Sequence, residues 1–270
     1  GAGSFRDLTI THASGNITLG APASLSRNLT ITAGILNTSG SDHALTVTGD
    51  IHIDGTLTGN ASAISGNSVH IDGTFTHNGA LTVSGIAGTN YAFQNLGTWT
   101  PSTSQVTTFT GDGDGTYHVK SNDWDSVVIH AAGEQYIFRP KTGTDCVIAA
   151  NDVTVTRGVL KLNTVTDTAS MGSLTIASTG TYQASSGTTT INGSGAGHSG
   201  QASACENQGT FTHNNGTILL SSAGDQDVEM DGTGNFYNLT INKSNNDVIM
   251  HPNVTIENNL DVTLAADHTL

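Results

Sequence analysis

One heptapeptide, met twice, constrains this chain more than any other feature. His52-Ile-Asp-Gly-Thr-Leu-Thr58 returns as His70-Ile-Asp-Gly-Thr-Phe-Thr76. Around it run short apolar bursts that alternate with polar residues at period two: Leu8-Thr-Ile10, Ile17-Thr-Leu19, Leu29-Thr-Ile31, Leu45-Thr-Val47, Ile51-His-Ile53, Val69-His-Ile71 and Leu81-Thr-Val83. Period-two alternation marks strands with one buried face. Near-identical sequence at a fixed shift puts like residues at like positions, as parallel stacking of coils requires. Hairpin pairing would reverse their order. Asp54-Gly55, Asp72-Gly73, Asn78-Gly79 and Asn215-Gly216 could serve hairpin turns, so tandem β-sandwich repeats are the alternative.

Longer self-similarities join the first. Asn28-Leu-Thr-Ile-Thr-Ala-Gly-Ile-Leu-Asn37 resembles Asp152-Val-Thr-Val-Thr-Arg-Gly-Val-Leu-Lys161, and Gly73-Thr-Phe-Thr-His-Asn78 equals Gly209-Thr-Phe-Thr-His-Asn214. The two offsets, 124 and 136, differ by a loop insertion placed near 192–208. At a shift of 231, Phe5, Leu8, Thr9, Ile10 and Leu29 meet Phe236, Leu239, Thr240, Ile241 and Leu260. The expected architecture is all-β: one right-handed parallel β-helix of about 12 coils over residues 1–270, a rod of about 60 Å. Its internal copies span approximately 1–112 and 113–231, with a third starting at 232–270. The chain opens and stops within its own pattern, which reads as an excised segment of a longer secreted product.

Composition agrees. Gly, Thr, Ser and Asn supply 123 of 270 residues, all poor helix-interior formers. The net charge of −14 argues against nucleic acid, which needs a basic stripe. No run approaches the 18 apolar residues of a membrane-spanning helix, so no membrane span is expected.

The phrases Gly209-Thr-Phe-Thr-His-Asn-Asn-Gly-Thr217 and Phe236-Tyr-Asn-Leu-Thr-Ile-Asn-Lys-Ser244, with Asn253-Val-Thr-Ile256, resemble tandem repeats of large microbial cell-surface and secreted β-helix proteins. The comparison extends to filamentous haemagglutinin-like adhesins and polymorphic outer-membrane proteins. It implies a long rod that spaces, adheres or polymerises, with no family-wide catalytic residues.

Three constellations could carry chemistry. His52 and Asp54 share a strand face with Asp50, and His70 and Asp72 lie one coil above, a candidate set for zinc or another divalent ion. Asp225, Asp227, Glu229 and Asp231 alternate, so a straight strand shows all four on one face, where calcium is the natural counterion. Trp99, Trp124 and Tyr136 lie in the least repetitive and most aromatic stretches and are the candidate sugar-binding residues, with a capping or packing role as the alternative. No cofactor is required.

Arg6, Arg27, Arg139 and Arg157 are scattered singly and no nucleophile motif occurs, so no enzyme is expected. Cys146 and Cys205 are too far apart in sequence for a bridge between adjacent coils, and a free or intermolecular thiol is expected, with Cys205 in the grown loop. The leading functional expectation is a structural component of an extracellular or cell-surface filament or sheath. It would assemble end to end with copies of itself. An adhesin or module binding surface glycans comes second, and a phage or glycan-degrading β-helix third.

Overall fold

The computed structural model describes residues 3–85, 91–103, 105–111, 116–121, 124–139, 145–148, 151–162, 166–193, 203–244 and 246–264. Every strand pairing is parallel and no helix occurs among the described residues. The chain is a β-solenoid, and the sandwich alternative is excluded because no hairpin ladder forms among the described residues.

In the first half each coil lays down three strands. A first face stacks Leu8–Ile10, Leu29–Ile31, Ile51–Ile53, Val69–Ile71 and Phe93–Asn95. A second stacks Asn16–Thr18, Ile35–Asn37, Thr56–Asn60, Thr74–His77 and Thr98–Pro101. A third stacks Gly3–Phe5, Ala23–Leu25, Leu45–Val47, Ile64–Gly66, Leu81–Val83 and Val106–Phe109. In the second half the third and first faces run together as the bent strands Ser126–Arg139, Asp152–Leu162 and Ser173–Gln183, with register shifts at the bend.

The solenoid has about 10 turns instead of the expected 12. Most coils are longer than the heptapeptide shift suggested. They range from the short step between paired Ile64 and Leu81 to the long one between paired Leu174 and Cys205. At ~4.8 Å per coil the stack is roughly 50 Å long.

Inward positions form axial ladders. Ile31, Ile53 and Ile71 stack directly and are fully buried, as are Leu36, Leu57 and Phe75. Each buried aliphatic side chain contributes about 1.5–3 kcal/mol, which offsets the ordering of the loops. The corners are set by glycine. Gly55, Gly73 and Gly97 follow one another up the axis, each lying over backbone carbonyls of the coil below. A Cβ on Gly73 would sit 2.1 Å from the Gly55 oxygen and 2.2 Å from that of Asp54. The Asp-Gly of the heptapeptide is therefore a stacking requirement as much as a turn.

The sequence copies and the faces fall out of phase. Leu29–Ile31 lies on the first face, whereas its counterpart Val153–Val155 pairs within the third. Leu8–Ile10 lies on the first face, and its counterpart Leu239–Ile241 lies in the ladder that follows it round the coil. What the copies share is a local device, strand–glycine–strand. Gly34 and Gly158 hold φ of 82° and 85° at equivalent positions of two different corners. Backbone turn chemistry, not position around the coil, is what recurs.

Of the insertion expected near 192–208, residues 194–202 lie outside the described residues, and Ser203–Asn207 is a strand buried along its whole length. Cys205 sits there, fully buried, instead of in a loop open to another subunit. Cys146 is also buried and neither cysteine is in a disulfide. Burial pushes both thiols up to about 12, so neither is a ready nucleophile.

Candidate functional site

The repeated heptapeptide builds the tightest polar cluster. His52 pairs with His70 in register, so their rings stack with centroids 4.7 Å apart and planes 13° apart. Strand alternation turns both outward, and Asp54 and Asp72 follow on the same face two residues on. His52 Nε2 lies 3.2 Å from Asp54 Oδ1 and 3.3 Å from Asp72 Oδ2, and His70 Nε2 lies 2.9 Å from Asp72 Oδ2. All four side chains are 35–43% exposed. Asp50 is not part of the cluster. Its Oδ1 accepts hydrogen bonds from Asn67 Nδ2 at 2.9 Å and Ser68 Oγ at 2.7 Å, tying two coils together.

The acidic stripe lies where the alternation placed it, around the strand Gln226–Met230, with Asp227 and Glu229 between buried Gln226, Val228 and Met230. Two of its members are already used. Asp225 accepts from the Asp247 N–H at 3.0 Å, and Asp231 accepts from Asn253 Nδ2 at 2.5 Å. Partial burial and the neighbouring Asp231 push Glu229 above the usual carboxylate range. Among the described residues these four carboxylates do not gather their oxygens at one point; the group that does is His52, His70 and Asp72, within 4.8 Å. Alternate residues on a strand are about 6.6 Å apart, too far for one ion to bind four in a row.

The aromatic surface is corrected. Trp99, Trp124 and Tyr136 are 4%, 2% and 0% exposed. Trp99 packs against Phe75 with centroids 4.6 Å apart, Trp124 against Phe93 at 4.4 Å, and Tyr136 against Phe109 at 5.0 Å. These rings are packed inside the stack of coils and present no exposed face to a sugar. Between Lys120 and Ser126 the described residues form no strand on the second face, and Trp124 fills space there.

The sequence reading missed an open groove of about 730 Å³, lined by Lys161, Gln183, His213, Asn215, Asn235 and Glu257 among others. His213 stacks on Tyr237 with centroids 5.4 Å apart, and its Nε2 lies 3.4 Å from Glu257 Oε2. The Asn215 N–H donates to His213 Nδ1 at 2.9 Å, while Asn235 Nδ2 donates to Glu257 Oε1 at 3.1 Å. The only hint was the hexapeptide 73–78, whose copy carries His213. The first copy turns His77 into the core, where its Nε2 lies 2.8 Å from the Ser62 carbonyl. The same six residues thus yield a core histidine on one face and a surface histidine on another.

No family model, no curated protein and no solved structure matches this chain.

Proposed function

We propose that this chain is a structural module of an extracellular rod, filament or sheath that extends by stacking coil on coil. The observation that carries the reading is the contrast, among the described residues, between the first and last ladder positions and those one coil inward. Phe5 is 47% exposed while its partner Leu25 is 1%. Ile17 is 42% exposed while Leu36 is 0%, and Leu260 is 46% exposed while Leu239 is 0%. A further coil on either side, from the same chain or from another copy, would bury these side chains and pair the open strand edges. Contact between unlike ends is heterologous and propagates into a filament unless a rotation closes it. The resemblance to adhesin-type tandem repeats supports the same rod.

Electron microscopy and sedimentation of the full chain test this. Rods several times longer than a single copy are expected, shortened by Leu260→Asp. A chain that stays monomeric at high concentration overturns end-to-end assembly. The groove beside His213 and Tyr237 favours an adhesin as the second reading, because a stacked aromatic pair with amide and carboxylate neighbours suits a sugar. Glycan binding that His213→Ala abolishes, without filaments, would put it first.

A further inference from the structure

We propose that His52, Asp54, His70 and Asp72 form a binding site for a zinc-class transition-metal dication that clips two neighbouring coils together. Two neutral imidazole nitrogens and two carboxylate oxygens are a donor set that suits zinc, copper or nickel, whereas calcium and magnesium prefer oxygen alone. Donors held about 2.0–2.1 Å from a tetrahedral ion lie roughly 3.3 Å from one another. Three of the donor pairs stand at 3.2, 3.3 and 2.9 Å. His52, His70 and Asp72 already hold their donor atoms within 4.8 Å of one another, and Asp54, which reaches His52 alone, closes the set by a side-chain rotation. The two carboxylates balance the charge of the ion. The rings are nearly parallel, so each must swing by tens of degrees about its side-chain bonds to aim its lone pair at a common point, and half-exposed side chains are free to do so.

A second observation separates this cluster from an ordinary polar ladder. Other aspartates on the solenoid surface hold the next coil. Asp7 accepts from the Asn28 N–H, Asp42 from the Ala61 N–H, Asp152 from Ser173 Oγ and Asp225 from the Asp247 N–H. Among the described residues, Asp54 and Asp72 direct their carboxylates only at the two histidines. The site is also bounded. The ladder continues as Thr30 on one side of His52 and Gln94 on the other side of His70, so one pair of coils holds one ion. The direct repeat of the heptapeptide in adjacent coils is what sets both donors in register without a break.

Calorimetric titration of the full chain, first stripped with a chelator, tests the proposal with zinc alone, and cobalt supplies a colour. The expected result is one zinc per chain, the visible absorption of tetrahedral cobalt, and a melting temperature raised by several degrees. His52→Ala with His70→Ala should remove all three while the far-ultraviolet dichroism stays unchanged, and His213→Ala should remove none. A wild-type chain that binds no zinc at submillimolar concentration, or a double variant that binds it equally well, overturns the site. Should calcium bind there as tightly as zinc, the donor-set argument fails.

Discussion

Gly73→Ala is the sharpest test of how the coils stack. The added methyl carbon would lie 2.1 and 2.2 Å from the carbonyl oxygens of Gly55 and Asp54, and 2.5 Å from the Asp54 carbonyl carbon. These are backbone atoms of the coil beneath, with no side chain to move aside. Cβ atoms essentially never approach a neighbour closer than 3.0 Å. Relief therefore requires the two coils to separate by about 1 Å at this corner. Separation stretches the Thr74 N–H bond to the Gly55 oxygen, now 2.9 Å, and the Gly73 N–H bond to the Ile53 oxygen, now 2.7 Å. Two weakened bonds cost about 1 kcal/mol each. Overpacking adds about 1–3 kcal/mol. The sum, about 3–5 kcal/mol, corresponds to a fall in melting temperature of roughly 10 °C. Gly20→Ala is the matched control, because nothing lies within 4 Å of its Cβ. It should be neutral or stabilise by up to about 1 kcal/mol, through loss of unfolded-state freedom. Circular dichroism melts give the comparison, and hydrogen exchange should show the loss concentrated at the corner amides near 54–56 and 73–74. Equal melting temperatures for the two variants would refute the close-stacked glycine column.

Two further outcomes follow from the core. Trp99 and Trp124 should fluoresce at short wavelength in the folded chain, shift to the red on unfolding, and be unaffected by added oligosaccharides. Quenching by a sugar would mean that the rings are accessible. Burial lowers the His77 pKa below 6.5 against the smaller opposing pull of its bond to Ser62, so the fold holds it neutral. Below about pH 6.5 the unfolded chain takes up a proton that the folded chain refuses, and stability falls as the pH drops through that window. His77→Gln should flatten the dependence of melting temperature on pH in mild acid, and an unchanged slope would reject this account. Glu229, with its pKa raised above 4.5, acts in the opposite sense, gaining stability as acid relieves its repulsion from Asp231.

Sequence alone determined the class of fold, because period-two alternation and a directly repeated heptapeptide admit little besides parallel stacked strands. It also placed His52, Asp54, His70 and Asp72 together, since strand alternation and coil register are short-range rules that a single coil cannot blur. Tertiary structure decided what depends on position around the coil. The hexapeptide of 73–78 and its copy at 209–214 are identical, yet His77 is buried and His213 lines a groove, because the copies occupy different faces. Trp99, Trp124 and Tyr136 looked like a binding surface because they broke the repeat; in the fold they are buried and pack against Phe75, Phe93 and Phe109. The coil count fell from 12 to about 10 because loop lengths within a coil are free to vary while strand register is not. Hydrogen bonding between parallel strands enforces register over one short strand at a time. How much chain is spent between those segments, and which way each face then points, only the closed stack decides.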